Sequence, residues 1–232
     1  LAAVALCMWS LRLPETLAAE HKTRFNWAST KAGYRRVLRT RLTASYTLAS
    51  IFLQAVFVMY LSSSERIIGD ILGRGDQFPI IFGVVAIMFG ITALLNGKLV
   101  VVFGIKKLLF FSSSTLVFFS CILLVTTLVE GGNPGFWVFI PLLAIVLSTF
   151  MFIMPNLNSA ALFPMGDIAG TAGAFTSAIR MSIGAAIGGV FNVLIDESLT
   201  PFAVGVVAMA VLASVSISLG GDPEPDVNYL ES

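Results

Sequence analysis

The chain is poor in charge and in reactive side chains. Asp, Glu, Lys and Arg make up 12% of its 232 residues, and it holds one histidine and two cysteines. A soluble domain carries about twice that charged fraction, so an ordinary water-exposed surface is excluded for most of the chain. His21 sits in a basic stretch, while Cys7 and Cys121 sit inside apolar runs. With no Cys/His cluster, neither a disulfide framework nor a metal site is expected. A phosphate-cradling glycine loop and a Ser/His/Asp set are also missing, so no enzyme chemistry and no cofactor are expected. Segments of about 10 residues with strict apolar and polar alternation, the mark of an outer-membrane barrel, do not occur.

Hydrophobic residues make up 57% of the chain, and the mean hydropathy is +0.92. Runs at 42–63, 78–103, 107–129, 136–163, 169–195 and 201–219 are long enough to cross a hydrocarbon core of about 30 Å as helices. A helix satisfies its own backbone hydrogen bonds in lipid. Residues 1–9 (LAAVALCMW) begin without an initiator Met or a basic stretch and read as the last half of another span. Arg12, Pro14 and Glu15 interrupt that run before any small-residue cleavage site, against a signal peptide. The expected fold class is therefore all-α: a polytopic six-helix transmembrane bundle, part of a larger protein. Its expected divisions are the end of a truncated helix at 1–12, a basic linker at 13–41, the transmembrane domain at 42–219 and an acidic tail at 220–232.

Eight of the fourteen Lys and Arg residues fall between Arg12 and Arg41. Under the positive-inside rule this linker is cytoplasmic, and Lys106 and Lys107 then fall on the same side. The tail also ends there, in what is expected to be a bacterial inner membrane. Tyr34, Val37 and Leu38 share a helical face, which predicts an amphipathic helix lying on an anionic bilayer surface. Basic juxtamembrane linkers are common, so no nucleic-acid partner is expected. Turns are predicted at 104–106, 130–135, 164–168 and 196–200, with a longer loop at 64–77 that has room for a short surface helix.

Residues 97–109 (GKLVVVFGIKKLL) resemble the cytoplasmic motif G-x-L-a-D-r-x-G-r-k-x-x-l of the major facilitator superfamily. Gly97, Leu99, Gly104, Lys106 and Leu109 match. The acidic position is Val101, and two basic positions are Val102 and Ile105, which weakens any charge-relay gating role. Independently of the family, Gly97 permits close helix approach, Gly104 permits a tight reversal, and Lys106 and Lys107 hold the turn at an anionic face. Met154-Pro155-Asn156-Leu157-Asn158, then Ala169-Gly170-Thr171-Ala172-Gly173-Ala174, together with Leu13-Pro14-Glu15-Thr16-Leu17, are similar to segments of the Bcr/CflA drug-resistance group. The resemblance spans nearly the whole chain. It implies the C-terminal half of a twelve-helix transporter that exchanges small amphipathic drugs for protons. The implied partners are the lipid bilayer, a small-molecule substrate and an N-terminal half of the same polypeptide. The implied energy source is a proton gradient.

Arg180 lies about ten residues inside its run, roughly 15 Å deep. A buried arginine in lipid costs several kcal/mol or more unless it faces a cavity or partner. Two placements fit: a wall of a central cavity, or a side chain snorkelling to the interface. Asn156 and Asn158 follow Pro155, which frees a backbone carbonyl; they either repair the helix and join neighbours or contact substrate. Gln54, Tyr46 and Asn96 are further polar points that serve as interhelical hydrogen bonds or as ligands. No Asp or Glu lies deep in a run, so a proton carrier is expected outside this chain. The small-xxx-small patterns at 170–174 and 184–188 predict close helix contacts. The alternatives are a transporter of an anionic metabolite and a membrane scaffold without transport.

Overall fold

The structure, a computed structural model, describes residues 27–195 and 197–222. The expectations for the truncated span, for the 13–17 segment, for Cys7 and His21 and for the tail beyond Asp222 fall outside these residues. The chain divides into two compact units, 1–32 and 33–232, and everything below concerns the second.

All regular structure among the described residues is helical: α1 (Trp27–Arg39), α2 (Arg41–Glu65), α3 (Phe78–Val129), α4 (Phe136–Leu162), α5 (Ala169–Leu194) and α6 (Thr200–Gly220). A π-helical turn, Arg66–Ile71, and a short 3-10 turn, Gly75–Gln77, occupy the loop between α2 and α3. Four helical stretches are long and apolar enough to cross a membrane, with mean hydropathy from 1.6 to 2.5. Two of them are interrupted at predicted turns. In α3 the backbone leaves the helix at Gly104 (φ 76°, ψ 161°), a conformation open essentially to glycine alone. Between α4 and α5 the 3-10 segment Phe163–Ile168 carries Pro164 and a non-helical Met165.

Helix α2 is central and packs against α4, α5 and α6, while α3 packs against α4 and α6. Phe139, Leu143, Leu147, Phe150 and Leu157 form the buried stripe of α4 at helical spacing, and Leu109, Leu116 and Leu123 repeat every seven residues in α3. Helix α5 buries small residues instead. A Cβ added at Gly184 would stand 2.7 Å from the Gln54 side chain, and one at Gly188 would stand 2.8 Å from the Ala55 carbonyl. The 184–188 pattern therefore seats α5 directly on α2. Gly170 meets nothing within 4 Å, so it is not itself a close-approach point, although Ala172 within the same segment is fully buried.

From Gly33 onward, α1 docks on protein. Val37 is buried with Met165 and Ala172, and Tyr34 stacks on Phe175 with ring centroids 4.1 Å apart. Arg36 Nη1 donates to Asp167 Oδ2 at 2.6 Å, and its Nη2 donates to the Pro164 carbonyl at 3.1 Å. Two of the three apolar residues predicted to lie on lipid are thus taken up by the α4–α5 turn and the first turns of α5, while Leu38 stays 63% exposed. Periodicity identified the stripe, but not what covers it.

The same end of the molecule is tied together elsewhere. Arg41 Nε donates to the Leu219 carbonyl at 2.7 Å, and the Tyr46 hydroxyl donates to the Gly221 carbonyl at 3.1 Å. Lys106 pairs with Asp222. Arg41 and Tyr46 meet carbonyls at the end of α6, which lack partners within the helix and carry its negative dipole end, and Lys106 meets the carboxylate just beyond it.

Candidate functional site

The candidate site is a face of α4. Ser148, Pro155 and Ser159 recur at spacings of seven and four, so they share one side of the second half of the helix. All three are exposed or half-buried, while the opposite side of α4 is buried against α2 and α3. Polar bridges flank this open face. On one flank, buried Asn156 Nδ2 donates to Asn96 Oδ1 of α3 at 2.8 Å and to its own Phe152 carbonyl at 2.6 Å. That is helix repair and an interhelical bond beside Pro155. On the other flank, exposed Asn158 accepts a hydrogen bond from Arg180 Nη1 of α5 at 3.0 Å.

Arg180 is half-buried, and its Nε is buried with no hydrogen-bond partner. Its position in α5 places it one turn from Gly184, which packs on Gln54 of α2. Gln54 is half-buried, and its amide has no hydrogen-bond partner among the described residues. The structure therefore brings Arg180 and Asn158 into contact, with Gln54 close by on α2. Asn156 faces α3 instead. Tyr46 is buried against Gly220 and donates to Gly221, a structural tie at the end of α6.

The motif-like turn is partly as expected. Gly104 makes the reversal, Lys106 pairs with Asp222, Lys107 is exposed and Leu99 is half-buried. Gly97 departs from expectation. A Cβ there meets nothing within 4 Å, so it is not a close-approach point between described helices. A small residue marks where approach is possible, and tertiary packing decides whether it occurs.

Four polar groups escaped the sequence reading. The Ser120, Ser148 and Tyr60 hydroxyls are buried without partners, whereas most helical hydroxyls here bond the carbonyl one turn back, as Thr149 does to Ile145. Nothing in the sequence separates Ser148 from those. Asp167 lies in the α4–α5 turn, where the Arg36 hydrogen bond holds its carboxyl below the ordinary carboxylate range. Among the described residues no group of three or more His, Cys, Asp or Glu could hold a metal ion. The described carboxylates, Glu65, Asp70, Asp76, Glu130, Asp167, Glu197 and Asp222, lie at helix ends or in loops.

The fold and the site define a helical protein with apolar, membrane-length helices and one polar-flanked open face. No family model, curated protein or solved structure matches the chain.

Proposed function

We propose that this chain is the C-terminal six-helix half of a major facilitator transporter, resembling the Bcr/CflA drug:proton antiporters. It would move small amphipathic compounds by alternating access. The observation that carries the proposal is the open face of α4 with Arg180 and Asn158 on its flank. A half-buried arginine midway along an apolar helix is costly against lipid, so this face belongs against a water-filled cavity. One such wall needs an opposing wall, and a second six-helix half supplies it.

The interruptions support six crossings. Gly104 and the Phe163–Ile168 segment divide the long helical stretches, leaving limbs of 25 residues (α2), 26 and 25 (78–103 and 105–129 of α3), 27 (α4), 26 (α5) and 21 (α6). At about 1.5 Å per residue each limb is roughly 32–40 Å long, enough for a bilayer with modest tilt. An unbroken α3 would reach about 78 Å. The described carboxylates all lie outside the limb centres, which supports a proton carrier in the other half. The cytoplasmic, bacterial inner-membrane orientation rests on the Lys and Arg distribution.

Arg180 also favours a second reading, the transport of an anionic metabolite by the same fold. A competition panel of cationic, neutral and anionic compounds, run on proton-driven efflux from vesicles containing the intact transporter, separates the two. Inhibition by apolar drugs alone supports the drug pump, and inhibition by small anions supports the second reading. No transport of any class by the intact transporter would contradict both and leave a scaffold.

A further inference from the structure

We propose that the groove between α3 and α4 binds an anionic phospholipid, with one acyl chain along the groove and the phosphate at Arg74. The groove has a volume of about 490 Å³ and is lined by Ile80, Val84 and Met88 of α3 and by Trp137, Pro141 and Ile145 of α4, among others. Gln77 is the one polar side chain in its lining. Gln77 and Phe136 stand at its mouth, where both helices begin. Arg74 is held between them: its Nη1 donates to Gln77 Oε1 at 3.4 Å, and its guanidinium carbon lies 5.1 Å from the centre of the Phe136 ring. No carboxylate pairs with Arg74 among the described residues.

These positions match an amphiphile lying along a helix. The mouth is formed by loop ends and by Trp137, which is 78% exposed; Trp and Arg are residues that settle at headgroup level. From there the groove runs inward between apolar side chains. Gln77 to Met88 spans eleven residues, about 16 Å, a length that an acyl chain fills. The unpaired guanidinium, already seated on an aromatic face, offers forked donors to a phosphate. The inference rests on the membrane-length helices and is independent of transport.

The test uses the fluorescence of Trp137 in the protein with Trp9 and Trp27 replaced by Phe, reconstituted into phosphatidylcholine bilayers. Brominated phosphatidylglycerol should quench Trp137 half-maximally at a mole fraction about five-fold lower than brominated phosphatidylcholine does. Arg74→Gln should remove that preference and Arg74→Lys should keep part of it. Val84→Phe, which fills the groove and leaves Arg74 in place, should also remove it. Equal quenching by the two lipids, or an anionic preference that survives Arg74→Gln, would overturn the proposal.

Discussion

Removing the guanidinium of Arg180 leaves Asn158 with an unused acceptor and the open face of α4 without its cation. If that cation meets the transported solute, Arg180→Ala lowers transport by the intact transporter roughly 10- to 100-fold, the span of a charge-assisted hydrogen bond. Protein levels should hold, and Arg180→Lys should recover part of the rate. Efflux rates normalised to membrane-inserted protein check this; an unchanged rate would return Arg180 to a packing role. The glycines of α5 give a contrast without ligand chemistry. Gly184→Val drives a side chain into Gln54, whose carbons already stand 2.7 Å from an added Cβ. Overpacking of this kind costs about 1–3 kcal/mol and should lower the unfolding temperature by several degrees. Gly170→Val and Gly97→Ala meet open space and should leave that temperature nearly unchanged. The sequence holds all of these glycines on equal terms, and only the packing separates them.

At the scale of elements, the helix breaks were legible because they rest on backbone chemistry. Gly104, at φ 76°, and Pro164, in the 3-10 segment, stand at the predicted breaks, whereas Pro141 and Pro155 stay inside α4. Gly104→Ala forces an L side chain into a region essentially closed to it, at about 1–3 kcal/mol, and should lower the yield of folded protein in detergent. The docking of α1 was not legible, since an apolar stripe is the same whether lipid or protein covers it. Nor was the pairing of Asn156 with Asn96, sixty residues apart, because the sequence names the polar residues without naming their neighbours. The Arg36–Asp167 pair makes the docking testable. The Asp167 pKa lies below its unfolded value, so its contribution is present above the ordinary carboxylate range and is lost as pH falls through the folded value. A spin-label distance between α1 and the 163–168 turn should therefore stay constant from neutral pH to about pH 5 and broaden only in stronger acid. Asp167→Asn should broaden it at neutral pH, and a distance insensitive to both changes would show that the apolar contacts suffice alone.

At the scale of the molecule, the proposal makes this chain one wall of a cavity. The 232-residue chain alone should then give no proton-driven efflux from vesicles, and efflux from it would mean that the chain, alone or as an oligomer, completes a pathway. The wall itself can be found with thiols, since charged reagents attack the thiolate, which needs water. Cys121 is exposed on the second limb of α3, and facing lipid, away from water, it should not react with a charged methanethiosulfonate. The deciding measurement is labelling of Asn158→Cys and Ser159→Cys in the intact transporter in bilayers, with Cys7 and Cys121 replaced by Ser and with Ala160→Cys as the buried control. Rapid labelling of both positions by the charged reagent, slowed by transported compounds and absent at 160, is the result expected of a water-filled cavity along α4. Silence at both positions with the charged reagent, in folded and membrane-inserted protein, would place this face away from water and contradict the proposal.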